Sequence, residues 1–177
     1  MDLPLLRTNT IHTGVLGVEG ADNPLGVRTV PSANVYHVDF DHLAAKDTND
    51  GTDPEHPLKT IQAAVDKVGD YDWIVVRSID PDGENVITND YTVGGNYVKL
   101  IGAGPTRYTP VWLSKDLSSA CLDLRAVGWH IIGFNFNVQN DGTGIEIRHT
   151  DSGANDIAIR TIIEGCHFTR RVIGLGG

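Results

Sequence analysis

The feature that most constrains the fold is a short strand-like pattern that the second half of the chain contains three times. Each copy has two apolar residues around one charged or small residue. The three centres are Leu122-Asp123-Leu124, Ile145-Glu146-Ile147 and Ile173-Gly174-Leu175. They lie 23 and 28 residues apart, so the strand pattern is kept while the loops between copies differ in length.

A second strand-like pattern lies between these copies. Its Ile-Gly pair occurs at Ile101-Gly102 and again at Ile132-Gly133, 31 residues later. Its aromatic positions, Phe134 and Phe136, correspond to Cys166 and Phe168 at a spacing of 32. Each repeating unit is therefore a strand with the first pattern, a short turn, a strand of the form Ile-Ile-Gly-x-Phe, and a variable loop.

Repeats of this length with several short strands and no helix predict a β-solenoid, because one turn cannot bury its inner face alone. Stacked turns place equivalent side chains about 4.8 Å apart. The predicted columns are Leu122–Ile145–Ile173, Leu124–Ile147–Leu175, Phe134–Cys166 and Phe136–Phe168. An antiparallel sandwich also uses many short strands, but it gives no reason to repeat one strand pair.

Two segments precede the repeats. Residues 1–34 have no sustained period and contain turn formers together with scattered leucines and valines. They read as a flexible tail or as an extended strap on a neighbouring molecule, and the apolar content favours the strap. Residues 57–68 switch to helical spacing, with Pro57 suited to the first turn and Gly69 to the position after the end. The predicted apolar face is Leu58, Ile61, Ala64, Val65 and Val68.

The segment around this helix resembles the lead-in of right-handed parallel β-helix proteins of the pectate-lyase-like superfamily. The matching positions are Asn49-Asp50-Gly51-Thr52, Pro54, Pro57, Thr60-Ile61 and Ala64, and the resemblance extends over residues 35–177. Residues 27–39 are also similar to the lead-in of β-helix proteins in tailed bacteriophage virions. The resemblance implies an all-β right-handed parallel β-helix with one N-terminal capping α-helix and an extended N-terminal arm.

Composition excludes several classes of function. The net charge of −9 argues against a nucleic-acid partner and against anionic membranes. Cys121 and Cys166 lie in apolar runs and read as buried free thiols, without a disulfide or metal framework. The Asp-rich loop at 47–53 lacks the spacing of a helix–loop–helix calcium site, and Asx-turns explain it equally well. We therefore predict no metal and no cofactor.

Asp123 and Glu146 are the one candidate catalytic pair. In the predicted stack both point outward, one strand apart, beside Arg125 and Arg148. Two carboxylates about 5 Å apart suit retaining glycoside hydrolysis, and polysaccharide cleavage is what the family resemblance implies. The alternative is a ladder of cross-strand ion pairs on a solvated face. Trp73, Trp112 and Trp129 could stack on sugars, but their strand-like surroundings favour packing.

These observations predict a non-enzymatic structural protein of a bacteriophage virion, assembled in the host cytoplasm. It would be a capsid decoration or cement subunit, or the base of a tail spike. Residues 1–34 would bind coat or tail proteins, and β-helices would associate side by side as a homo-oligomer, with a trimer as the expectation from the resemblance. An uncapped last turn would belong to a longer chain or be closed by a partner. The alternatives are a polysaccharide-degrading fragment or a carbohydrate-binding module that takes a host glycan.

Overall fold

A computed structural model describes residues 33–80, 87–89, 95–104, 110–114, 120–139, 143–147 and 160–171. The chain divides into two units, Met1–Ser32 and Ala33–Gly177, and every described residue belongs to the second. Residues 1–32 of the predicted arm, Arg148, and the third pattern copy at 173–175 therefore lie outside the described residues.

Short strands make up almost all of the described secondary structure, and one short helix interrupts them. The strands are β1 (Val35–Asp39), β2 (Trp73–Ser78), β3 (Ile87–Asn89), β4 (Lys99–Gly102), β5 (Val111–Ser114), β6 (Ala120–Leu124), β7 (His130–Ile132), β8 (Asn135–Gln139), β9 (Thr143–Ile147), β10 (Ile162–Glu164) and β11 (His167–Arg171). The helix, α1, spans Ile61–Val65.

The strands form three parallel sheets. The first sheet has the order β1-β2-β4-β7-β10, the second β11-β8-β5 and the third β3-β6-β9. From β2 onward, consecutive strands of the described residues belong to different sheets: β4, β5 and β6 lie in the first, second and third sheet, and β7, β8 and β9 repeat that order. The described chain is therefore all-β with parallel sheets. The antiparallel sandwich is wrong, because every strand pairing among the described residues is parallel.

The register confirms the predicted equivalences that lie in paired strands, whereas Phe134 and Cys166 lie outside the strands, immediately before β8 and β11. Leu122 pairs with Ile145 and Leu124 with Ile147 across β6 and β9. Phe136 pairs with Phe168 across β8 and β11. The Ile-Gly repeat is confirmed as well, because Ile101 on β4 pairs with Ile132 on β7.

The prediction of one continuous Ile-Ile-Gly-x-Phe strand is wrong. Gly133 adopts a φ of +76° and separates β7 in the first sheet from β8 in the second. This left-handed backbone is readily accessible only to glycine, so the chain turns a corner there. Gly165 has a φ of +61° at the equivalent position between β10 and β11.

The core consists of apolar side chains stacked in register. In the first sheet Ile74, Leu100 and Ile131 are adjacent in the ladder and are all 0% exposed. In the second sheet Trp112 pairs with Phe136, and both rings are also fully buried. Burying one such side chain is worth about 1.5–3 kcal/mol relative to exposure, so the repeated columns account for much of the stability.

The helix is shorter than predicted. Instead of starting the helix, Leu58 makes a parallel bridge with Val38 of β1, so the helix begins only after Thr60, whose backbone is extended. Thr60 is the N-cap, and its hydroxyl accepts a hydrogen bond from the Ala63 N–H at 3.2 Å. The predicted apolar face is confirmed, because all five of its members are buried: Leu58, Ile61, Ala64, Val65 and Val68.

Candidate functional site

The Asn-Asp-Gly-Thr loop before α1 is held by its own side chains. The Nδ2 of Asn49 donates to the carbonyl oxygens of Ala44 (2.9 Å) and Pro57 (2.8 Å). The Oδ1 of Asp47 accepts from the backbone N–H groups of Lys59 (3.0 Å) and Thr60 (2.8 Å). These contacts fix the segment that leads into the helix, so the motif has a structural explanation.

Backbone geometry explains the glycine of this loop. Gly51 has a φ of +80°, and a Cβ there would lie 2.6 Å from the Cγ of Leu58. Its carbonyl accepts a hydrogen bond from the His37 N–H of β1 at 2.7 Å. The loop therefore packs against β1 so closely that a side chain would displace the buried Leu58.

Asp53 in the same loop binds neighbours in sequence instead of forming part of a metal cluster. It accepts from the Nδ1 of His56 (2.9 Å) and from the backbone N–H of Glu55 (2.9 Å). These two hydrogen bonds, that of His56 first, lower the pKa of Asp53. Among the residues that the structure describes, no group of three or more His, Cys, Asp or Glu side chains is placed to hold a metal ion.

Asp123 and Glu146 are brought together as the sequence predicts. They are in-register partners on β6 and β9 of the third sheet, so their backbones lie about 4.8 Å apart. The surroundings of Asp123 differ from the prediction, because this residue is only 9% exposed and lies between the fully buried Leu122 and Leu124. The expectation that Asp123 lies on a solvated face is therefore wrong.

The carboxylate of Asp123 is engaged by Arg125 on both oxygens. Arg125 Nη2 lies 2.7 Å from Oδ2 and Nε lies 3.3 Å from Oδ1. Such a two-point contact is directional and stronger than a single neutral hydrogen bond. An acid that donates a proton to a glycosidic oxygen must reach a bound sugar, whereas Asp123 is covered and already holds a guanidinium. This geometry fits a structural ion pair better than a catalytic acid.

The three tryptophans divide into two classes. Trp112 and Trp129 are 0% exposed, which confirms packing for these two. Trp73 is 37% exposed, and Lys99 Nζ lies 4.5 Å from its ring centroid. For Trp73 the packing prediction is wrong. Its neighbour Ile74 on β2 is buried, so the side chain of Trp73 points to the opposite face of the sheet.

In each of the three sheets a buried apolar residue pairs with an exposed apolar residue on the last described strand of that sheet. Ile131 is 0% exposed, whereas its partner Ile163 on β10 is 42% exposed. Three residues share this property: Ile163 on β10, Phe168 on β11 (56% exposed, paired with the buried Phe136) and Ile147 on β9 (48% exposed, paired with the buried Leu124). We call these the terminal-strand residues.

Two tyrosines that the sequence analysis did not single out have unusual backbone geometry. Tyr71 has a φ of +70° and Tyr97 a φ of +59°, and each lies two residues before a strand of the first sheet. Their rings stack with centroids 5.1 Å apart and planes 6° apart. Bulky residues in this region are uncommon. The sequence signal is a turn-forming residue before each tyrosine, Asp70 and Asn96.

No known protein family, curated protein or solved structure matches this chain. Within the described residues, no helix is long and apolar enough to cross a membrane.

Proposed function

We propose that this chain is a non-enzymatic structural protein of a bacteriophage virion, built on a right-handed parallel β-helix. The cyclic visiting order of the three sheets supports the β-helix, because stacked coils of three strands would produce that order. In this proposal α1 caps the first coil. Its buried residues lie beside β1, the first strand of the first sheet, where an uncovered edge would otherwise be exposed.

The observation that carries the structural role is the set of fully buried, in-register apolar residues in the first and second sheets, together with the buried Leu122 and Leu124 of the third. Such ladders make a stiff body whose outer faces are available for contacts. The exposed terminal-strand residues support a further contact at the β9, β10 and β11 edges, where another rung, from this chain or from a neighbour, would cover them. Residues 1–34 would attach the body to viral coat or tail proteins.

A polysaccharide-degrading or glycan-binding protein is the second candidate. The adjacency of Asp123 and Glu146 and the exposed Trp73 favour it. The Asp123–Arg125 pair argues against catalysis, because both oxygens of the proposed acid accept from the guanidinium. Release of reducing sugar from capsular or pectic polymers, abolished by Asp123→Asn, would establish the enzyme and refute the structural proposal.

The direct test of the structural proposal is attachment to virus particles. We expect the full chain to co-sediment with particles that lack it, and a variant without residues 1–34 to remain in the supernatant. Circular dichroism and a thermal melt of the shortened chain must show an intact fold, so that the loss reports attachment. If the full chain fails to bind particles, or the folded truncation binds them equally well, the proposed attachment is wrong.

A further inference from the structure

The last described strand of each sheet has an edge that no other described strand covers. These strands are β9 in the third sheet, β10 in the first and β11 in the second. Each carries one of the terminal-strand residues, which are 48% (Ile147), 42% (Ile163) and 56% (Phe168) exposed. An open strand edge with exposed apolar residues favours pairing with another chain. We call these three edges together the open end.

The backbone of β10 directs one residue to the open end. The Ile162 N–H donates to the Trp129 carbonyl oxygen at 2.8 Å, and the Glu164 carbonyl oxygen accepts from the Gly133 N–H at 3.0 Å. Along a strand in a parallel ladder, alternate residues direct both of their backbone groups to the same neighbour. Ile162 and Glu164 therefore face β7, and the N–H and carbonyl groups of Ile163 between them point to the open edge.

The opposite edge of the first sheet is already occupied. On β1 the His37 carbonyl oxygen accepts from the Leu58 N–H at 2.8 Å, and the Asp39 N–H donates to the Leu58 carbonyl oxygen at 3.0 Å. Head-to-tail stacking, in which β10 of one copy would pair with β1 of the next, is therefore blocked in this sheet. A second copy can still offer its own open end, and a contact between two identical surfaces requires a two-fold axis.

We propose that two copies of this chain bind each other through their open ends. The two-fold axis passes between the two β10 strands, perpendicular to the first sheet, so that these strands pair antiparallel. Ile163 of each copy then donates its N–H to the Ile163 carbonyl oxygen of the other, as a hydrogen-bonded pair in an antiparallel sheet does. This inference rests on the β-helix of the proposed function and adds one partner to it.

The same axis pairs the other two edges. In a β-helix β9, β10 and β11 are successive thirds of one turn, with β9 before β10 and β11 after it. A two-fold axis at β10 therefore places β11 of each copy one strand spacing, about 4.8 Å, from β9 of the other. Ile147 is the last residue of β9 and Phe168 the second of β11, so both lie at the strand end nearer to β10. The rotation superposes these ends, and Phe168 covers Ile147 of the second copy.

Charge and size set the expected strength. The whole chain carries a net charge of −9, which repels a second copy in general. At the open end, pairing centred on Ile163 places Glu164 diagonally opposite Arg160 of the second copy, where long side chains can meet. The edges of β9, β10 and β11 contribute 5, 3 and 5 residues. A standard interface uses about 20–30 residues per partner, so we expect a reversible dimer.

Sedimentation velocity on the full chain from about 5 to about 500 µM covers the range expected for so small a contact. The weight-average mass should rise from 19.1 kDa towards twice that value and no further, because a two-fold contact closes on itself. Ile163→Thr should weaken association about tenfold, since each substitution acts twice in the dimer. Ile162→Thr is the matched control. It lies on the same strand and is 54% exposed, but it points to the outward face, so its effect should stay below about twofold. Both melting temperatures should stay within about 4 °C of the original.

Cross-linking tests the position of the axis separately. In the proposed dimer the two Ile163 Cα atoms lie about 5.5 Å apart, a separation that a disulfide spans. Ile163→Cys should therefore form a disulfide-linked dimer under mild oxidation on a non-reducing gel. Ile162→Cys should form little, because its counterpart lies two residues further along the paired strand. The original chain, which has free Cys121 and Cys166, sets the background.

Four results would each overturn the inference. They are a chain that stays monomeric, a mass that exceeds twice the monomer, equal weakening by the two threonine variants, and equal cross-linking of the two cysteine variants. A monomeric chain that still co-sediments with particles would overturn this inference and leave the proposed function standing. A dimer with the expected variant effects that fails to bind particles would support the inference and refute the proposed attachment.

Discussion

Two substitutions test whether the ladder of the second sheet runs from a buried residue to an exposed one. They are Phe136→Ala on β8 and Phe168→Ala on β11. Phe136 is 0% exposed, with ring centroids 5.3 Å from Trp112, 5.9 Å from Phe134 and 5.1 Å from Phe168. Truncating a buried Phe costs about 3–5 kcal/mol. Three aromatic neighbours lose their partner at once, so we expect Phe136→Ala to lose about 4–5 kcal/mol of unfolding free energy.

Phe168 should behave differently although it is the same residue type in the same ladder. It is 56% exposed, so less than half of a burial worth about 2–3 kcal/mol is at stake. Its ring contact with Phe136 adds a fraction of a kilocalorie in a partly solvated position. We therefore expect Phe168→Ala to lose about 1 kcal/mol, about a quarter of the loss at Phe136.

Urea denaturation at low protein concentration, followed by tryptophan fluorescence, measures both losses. The m-value should stay constant across the variants, because a change would indicate an altered unfolded state or a populated intermediate. Phe136→Leu is the matched control and should cost less than Phe136→Ala, because leucine keeps most of the buried apolar volume. Equal losses at the two phenylalanines would refute the reasoning, because they would place Phe168 inside the folded body.

Three further predictions concern the corners, the helix and the pH dependence. Gly128→Ala should lose about 2 kcal/mol in the same urea assay, because its new Cβ would lie 2.3 Å from Tyr97 Cδ1 at a φ of +74°. Asp47→Ala should lose about 1 kcal/mol, as an N-cap does, and Asp47→Asn should recover most of it. Burial, with Arg77 second, lowers the pKa of His37. The unfolded chain therefore binds the proton more readily, so stability should fall as pH drops below about 6.5. His37→Gln should flatten that slope in thermal melts, and an unchanged slope would contradict this assignment.

The repeated apolar patterns predicted the parallel pairing, because residues at equivalent positions of successive repeats become partners in a parallel ladder. Leu122 and Ile145 share a pattern, and they share a ladder in the structure. The corner at Gly133 was missed because a glycine inside an apolar run is compatible with a strand, a bulge or a turn. The structure shows that Gly133 has a positive φ and that β7 and β8 belong to different sheets.

The candidate site shows the same division between pattern and environment. The sequence predicted that Asp123 and Glu146 would be neighbours, and they are. It did not predict that Asp123 would be nearly buried with Arg125 on both oxygens. The alternation of residues along a strand predicts which face of the sheet a side chain points to. It does not predict whether another part of the chain covers that face.

By itself, the sequence determined which residues are equivalent from one repeat to the next, and therefore the all-β class, the parallel ladders and the buried face of α1. Those properties depend on local periodicity and on apolar side chains that need partners of the same kind. Only the tertiary structure decided where a strand bends into the next sheet, that Trp73 is exposed and that Tyr71 and Tyr97 stack beside it. These outcomes depend on contacts between segments far apart in the chain, and no local pattern contains them.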